Sequence, residues 1–543
     1  MSVDRGIDRT VAPVAGRGTD AAGTAGAPAP SPAPAPTQAR STASVLASRP
    51  GRWIVGWNAE DTGQWEGPGR GIARRNLGWS IACEFLGFVI WQLWSIAVVY
   101  LPAAGFAFSS SQLFWLISMP SLVGATLRIP YTFMVGRFGG RNWTIVSVLL
   151  LLLPATGLAL CVGNPHTPFG VMLAVAACAG LGGGNFASSM ANITFFFPAR
   201  EKGWALGLNA AGGNLGAAVA QLAVPLVVTG LGAATLNLPL AGWLWVPLIL
   251  AAAFGAWRYM DNLASARSDI AGSLAALREP HLWVLALLYI GTFGSFIGFS
   301  GVFPKLLADT FGPKTGFPLG AATVSLAFLG ALVGSLARPY GGRLADRWGG
   351  ARVTVACFGT LAASTLLQVW TLPVHSFWLF LGLFLLLFAA AGAGNGSTYR
   401  MIPVIFALRA LAQSHGGASD GGRVAEGGGV ADGGRVGEGG GAADGGRAAG
   451  PSVVTERGRN TEQGVDAPAG VTAARKSAAA LGLISAIGAY GGFLVPQLLN
   501  ASHSNTGGYA AAFYGFVACY LAMMAVTWFC YLRSASRTAM GRI

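Results

Sequence analysis

The chain has 543 residues, of which 53% are hydrophobic and only 10% charged, with a mean hydropathy of +0.55. Soluble domains carry about 25% charged residues, so a soluble globular chain is excluded. Apolar runs near the ~20 residues that span a bilayer recur throughout, as in a polytopic helical membrane protein. The net charge of +14 does not mark a nucleic-acid binder, because the basic residues crowd alternate loops rather than one face.

Residues 1–50 are rich in Ala, Pro, Gly and Ser, with PAPSPAPAPT at 28–37. Such a stretch cannot bury a core and is expected to be disordered. It also lacks the apolar segment of a signal peptide. Tryptophans in RWIVGWNAEDTGQWE at 52–66 predict an interfacial or cytoplasmic cap, so residues 1–70 read as a cytoplasmic tail. Spans are expected at 77–101, 111–136, 142–162, 168–196, 202–229 and 241–261, then at 281–308, 319–342, 352–371, 376–409, 474–499 and 508–533. The predicted fold is all-α, with twelve transmembrane helices in two pseudo-symmetric six-helix halves, 71–262 and 281–534. A basic central loop at 263–280 joins them, and a short tail at 535–543 follows.

Basic residues mark one side. Arg70, Arg74 and Arg75, Arg137 and Arg141, Arg200 and Lys202, Arg258, Arg267 and Arg278, Arg343, Arg347 and Arg352, and Arg533 and Arg537 all fall in alternate loops. The loops near 103–110, 163–169, 230–241 and 501–508 hold no Lys or Arg. Positive-inside asymmetry then places both termini in the cytoplasm. The six cysteines lie in or beside apolar helices without metal spacing, as inert buried thiols do. No cofactor or metal is expected.

The halves repeat each other. LVGATLRIPY at 122–131 and LVGSLARPY at 332–340 place Arg128 and Arg338 at an offset of 210 residues, which also carries Gly139-Gly140 onto Gly349-Gly350 and Gly184-Asn185 onto Gly394-Asn395. Leu206-Gly207-Leu208 and Leu481-Gly482-Leu483 differ by 275. The extra 65 matches the acid-, base- and glycine-rich stretch 413–470, which reads as a disordered cytoplasmic insert.

An arginine costs about 2.5–3.5 kcal/mol to place at mid-bilayer. Arg128 and Arg338 sit about eight residues before a cytoplasmic turn, roughly 12 Å inward at ~1.5 Å per residue. Snorkelling over that distance is a stretch and intramembrane acids are scarce, so the pair predicts one central anion site. A planar guanidinium suits a flat oxyanion better than a lysine would. Glycine-rich runs at 180–198, 205–216, 391–406 and 481–492 predict close helix packing, or bending between two states. Asn185, Asn209, Asn214 and Asn395 lie inside these runs, as candidates for a polar lining.

The turn GGRLADRWGGAR at 341–352 resembles the loop between the second and third spans of the major facilitator superfamily. That resemblance implies an ion-pair latch at Asp346, made in one conformation only. The first-half copy, GRFGGR at 136–141, has Gly136 in place of Asp346, so the latch is asymmetric. GGGNFASSMANITFFFP with ALGLNAAGGNLG, TFGSFIGFS at 292–300 and ALGLISAIGAYGGF at 480–493 resemble the NarK family of nitrate/nitrite porters, and the similarity covers about 70–534 without the insert. It implies that Arg128 and Arg338 clasp the anion, that Phe186 and Phe293 sandwich it, and that Tyr289 and Asn214 line the pocket. It implies transport by rocking of the halves, with Gly212, Gly213, Gly488 and Gly491 as points of flexure. The expected partners are nitrate, nitrite and membrane lipid, for a monomer in a bacterial cytoplasmic membrane.

Glu84, in SIACEFLGFVIWQLW, is an acid well inside an apolar span, where some family members carry an apolar residue. It either carries a proton, giving nitrate/proton symport, or pairs with Arg74 or Arg75, leaving nitrate/nitrite antiport. Arg400 reads as a third pocket residue or a residue of the cytoplasmic edge. A sensor would carry a signalling domain, which the tail and insert do not supply. Closely packed glycine helices argue against an open anion channel, and no catalytic constellation marks an enzyme. A porter of another small inorganic anion is the remaining alternative.

Overall fold

The computed structural model describes residues 46–230, 236–266, 276–312, 316–319, 322–420 and 480–533. The first six long helices are α1 (Arg70–Tyr100), α2 (Ser110–Phe138), α3 (Gly140–Val162), α4 (Phe169–Phe196), α5 (Ala199–Gly230) and α6 (Leu240–Tyr259). The last six are α7 (Pro280–Phe311), α8 (Phe328–Trp348), α9 (Gly350–Thr371), α10 (Phe377–Asp420), α11 (Ala480–Thr506) and α12 (Ala510–Leu532). Eleven helices among the described residues are long and apolar enough to cross a membrane. The exception is α8, whose 21 residues include Arg338, Arg343, Asp346 and Arg347.

The repeat seen in the sequence recurs in burial. Residues 121–130 of α2 and 331–340 of α8 run through the same order of buried, half-buried and exposed positions. Each of these helices packs on the fourth helix of its own set, α2 on α4 and α8 on α10. Glycines set the spacing: a β-carbon on Gly124 would lie 3.2 Å from the Gly180 carbonyl, and one on Gly334 3.1 Å from the Phe388 carbonyl. Gly139 and Gly349 end α2 and α8 at φ 86° and 92°, where any side chain is strained. At its start α2 is capped by Ser109, whose hydroxyl accepts from the Gln112 amide.

Several expectations change. The tail is folded from residue 46: β1 (Ala47–Arg49) pairs antiparallel with β2 (Trp53–Val55), which runs parallel to β3 (Asn262–Leu263). Arg52 holds the end of α6 through the Met260 carbonyl at 2.7 Å and the Asp261 carboxylate at 2.7 Å. Trp57 donates to the Phe195 carbonyl at 3.0 Å, Trp65 to Glu201 at 3.1 Å, and Arg141 to the Gly51 carbonyl at 3.4 Å. These residues tie together the α2–α3 turn, the α4–α5 turn and the end of α6. Their burial explains the tryptophans, with Trp65 only 1% exposed.

The all-α fold thus carries a few short strands of two to four residues at its ends, and the eighth span starts nine residues later than expected. A hairpin of β4 (Gly316–Leu319) and β5 (Ala322–Ser325) takes the predicted start of that span. α10 runs on to Asp420, past the expected start of the insert. Residues 1–45, 267–275, 421–479 and 534–543 lie outside the described residues, and with them fall the first part of the N-terminal tail, much of the central loop, most of the insert and the C-terminal tail.

The polar bridges between the two sets of six helices have a direction. Among the described residues they are Arg128 to the Ser485 carbonyl, Thr126 with Tyr490, Gln92 to the Ile297 carbonyl, Gln221 to the Ser300 carbonyl, Gln497 to Ser118 and Asn500 to Ser111. From Arg128 they all run toward the end that carries the α1–α2 and α11–α12 turns.

Candidate functional site

The centre of the bundle holds two buried arginines amid aromatic rings. Arg128 is fully buried and Arg338 is 5% exposed. The Arg128 guanidinium donates from Nε to the Gly183 carbonyl at 3.1 Å and from Nη1 to the Ser485 carbonyl at 2.9 Å. One bond reaches α4 and the other α11, so two backbone groups fix the side chain. Nη2 of Arg128 and Nη1 of Arg338 are buried without a hydrogen-bond partner.

Rings surround both cations. The Arg128 guanidinium lies 4.5 Å from the Phe186 ring centre, 4.9 Å from that of Phe293 and 5.2 Å from that of Trp91. Arg338 lies 5.8 Å from Phe186 and 5.5 Å from Tyr399. Phe186 thus contacts both arginines, and contact with an aromatic face favours each cation by about 0.5–2 kcal/mol. Phe186 and Phe293 are near-parallel at 26°, with centres 6.1 Å apart. A flat molecule held between them would pack against each face at about 3.5 Å. Tyr289 stacks on Phe293 at 5.2 Å and is fully buried, its hydroxyl without a partner.

Phe293 owes its place to a π-helical turn, Ile290–Gly294, inside α7. Such turns shift the register of a helix and are frequent at functional sites. The structure therefore brings Arg128, Arg338, Phe186, Phe293 and Tyr289 together. Asn214 is buried on α5 with both amide atoms unpartnered, as are Asn185 and Asn395. Trp91, Tyr399, Gly183 and Ser485 also join the site; Gly183 and Ser485 lie inside the family-like segments, but a backbone carbonyl or a ring in an apolar helix carries no local signal that would single it out.

Glu84 occupies a separate niche. It is 1% exposed, accepts from the Ser189 hydroxyl, and accepts from Asn209 Nδ2 at 2.5 Å. Ser80 and Ser189 share a 2.9 Å hydrogen bond behind it. The pairing with Arg74 or Arg75 does not form: Arg75 reaches Asp261 at 2.7 Å. Oε1 of Glu84 has no partner. A polar cavity of about 10 Å³, lined by Ser80, Glu84, Asn185 and Ser189 among others, adjoins it. That is room for about one water.

The four glycines expected to flex are points of close approach. β-Carbons on Gly212 and Gly213 would strike Ile81 and Glu84, while those on Gly488 and Gly491 would strike Tyr289 and Gly294. Asp346 receives Arg400 Nε at 2.6 Å, with both side chains about half exposed. Arg400 is therefore a partner of the Asp346 turn and not a third pocket arginine.

A sequence profile of the Major Facilitator Superfamily matches residues 83–420. The nitrate/nitrite transporter NarU of Salmonella typhimurium is 41% identical over 493 residues, 88% of this chain and 96% of that protein. The chain belongs to the NarK-type porters of the major facilitator superfamily. The probable nitrate/nitrite antiporter NarK2 of Thermus thermophilus is 39% identical to this porter over 67% of its chain and 85% of the relative. The crystal structure of the human organic anion transporter MFSD10 shares its fold, with a TM-score of 0.51, 15% identity, and cover of 85% and 99% of the two chains. The porter is thus a multi-pass membrane transporter and not an enzyme.

Proposed function

We propose that this porter moves nitrate and nitrite across the bacterial cytoplasmic membrane by alternating access, as a monomer with both termini in the cytoplasm. The observation that carries the reading is the pair of buried N–H groups, on Arg128 and Arg338, left without partners beside Phe186. A buried polar group without a partner costs about 1–3 kcal/mol. A planar oxyanion removes that cost by accepting from both arginines in its plane, while Phe186 and Phe293 cover its faces. Tyr289 and Asn214 offer further donors. Its relatives NarU, a nitrate/nitrite transporter, and NarK2, a probable nitrate/nitrite antiporter, support this ligand. The end closed by polar bridges is the periplasmic one, because the positive-inside asymmetry puts residues 100–110 and 506–510 outside.

Proton coupling is a second reading, and Glu84 favours it. A buried carboxyl with no cation at ion-pair distance, two side-chain donors and an adjoining water-sized cavity is equipped to take up and release a proton. Antiport would need no such group.

One experiment tests both: nitrate uptake into proteoliposomes, driven by internal nitrite or by an inward proton gradient. Arg128→Lys and Arg338→Lys should each abolish uptake under either condition. Undiminished uptake in both would refute the site. Glu84→Gln should abolish proton-driven uptake and spare exchange, and proton-driven uptake that survives it would remove Glu84 from coupling.

A further inference from the structure

Among the described residues, one more cation besides the central pair is buried where the two sets of helices meet. Lys305, on α7, is 6% exposed. Its ammonium donates to both carboxylate oxygens of Asp309, at 2.9 and 2.8 Å, and lies 5.2 Å from the ring centre of Phe114 on α2. The Tyr509 hydroxyl donates to the same carboxylate at 2.5 Å, and burial with the Asp309 charge raises its pKa, so it remains a donor. The Tyr509 ring lies 6.4 Å from that of Phe114, and the His503 ring is tilted against Tyr509 at 5.2 Å.

The position of Lys305 on α7 has a direction. The Ile297 carbonyl accepts from Gln92, and a β-carbon on Gly301 would lie 3.5 Å from Ile117. Residues 297, 301 and 305 recur every four positions, so they share the stripe that faces the first six helices. Lys305 is the outermost of the three. It stands twelve residues from Phe293, roughly 18 Å along the helix axis at ~1.5 Å per residue. An ion pair confined to the surface of one helix would not seat its ammonium on a ring from the opposite set.

We propose that Lys305 is the outer gate of the transport path and a cation that an anion entering from outside meets before the central pair. The inference rests on the transport reading above and adds a site to it. With the outer end closed, the ammonium is shared between Asp309 and the face of Phe114. When the halves part on that side, Phe114 leaves with α2, and one N–H of Lys305 turns to the widening vestibule. Asp309 keeps the side chain in place, its charge shared with the Tyr509 hydroxyl. A small oxyanion then docks on Lys305 before passing inward to Arg128 and Arg338. Closing restores the ring contact and expels the anion inward.

The test uses the full chain in proteoliposomes, with Lys305→Met and Phe114→Leu each compared with the native sequence. The first readout is alkylation of a cysteine introduced at Ser118 by a membrane-impermeant maleimide from the outer side, above the rate without that cysteine. Losing the desolvated cation–π contact should speed alkylation about fivefold in both variants. The second readout is nitrate uptake from outside. Lys305→Met should raise the outer KM by about tenfold with a smaller change in kcat, whereas Phe114→Leu, which keeps the charge, should leave the outer KM within about twofold. Unchanged alkylation in both variants overturns the gate, and an unchanged outer KM in Lys305→Met overturns the docking role. Failure of the native protein to take up nitrate would refute the transport reading, while alkylation would still decide the gate. If Lys305→Met does not fold, alkylation in Phe114→Leu decides it alone.

Discussion

Phe186 sits under both cations of the site, at 4.5 Å from Arg128 and 5.8 Å from Arg338, and faces Phe293. Replacing it with leucine keeps an apolar side chain but removes the π face. That change should weaken the anion-bound state by roughly 1–2 kcal/mol, a rise in KM of about 5- to 30-fold. Uptake kinetics with expression held constant check this, and an unaltered KM would show that Phe186 only fills space. The two arginines were legible in the sequence because a charge in an apolar run is costly and so conspicuous. Trp91 and Tyr399 were not, because an aromatic ring in a membrane helix is as much at home in a core as beside a ligand. Glu84 stood out by the same charge argument as the arginines. Its partners, Ser189 and Asn209, come from two other helices and have no sequence spacing to betray them.

The pairs α1–α5 and α7–α11 are held by glycines that recur at the offset of 275 residues. A β-carbon on Gly213 or Gly216 would strike α1, and one on Gly488 or Gly491 would strike α7. Gly491→Ala should therefore push α11 off Gly294, with an overpacking cost of about 1–3 kcal/mol. Gly207→Ala should be neutral or mildly stabilising, since a β-carbon there meets nothing within 4 Å. Thermal unfolding in detergent separates them: a midpoint several degrees lower for Gly491→Ala alone is expected, and equal midpoints would show that the helices adjust freely. Apolar length marks eleven of the helices and the 210-residue repeat marks α8, but neither gives the register inside a helix. The π-helical turn that aims Phe293 and the hairpin that displaces the start of α8 depend on tertiary packing, which apolar length does not encode.

At the scale of the molecule, two six-helix sets meet through polar bridges that lie at one end. The repeat offset foretold the two sets, while the end at which they close follows from pairings such as Gln497 with Ser118 that no single stretch of chain contains. Rocking must break these bridges in every cycle if the transport reading holds. Asn500 Nδ2 lies 3.1 Å from Ser111 Oγ, so cysteines at both positions stand within reach of a short bifunctional thiol reagent. Cross-linking Ser111→Cys with Asn500→Cys should stop nitrate exchange, and cleaving the linker by reduction should restore it. Each single variant treated with the same reagent should keep its activity, because a linker held at one end leaves the halves free to part. Exchange that continues through a verified cross-link would mean that the outer end need not open, and alternating access through the Arg128–Arg338 site would have to be abandoned.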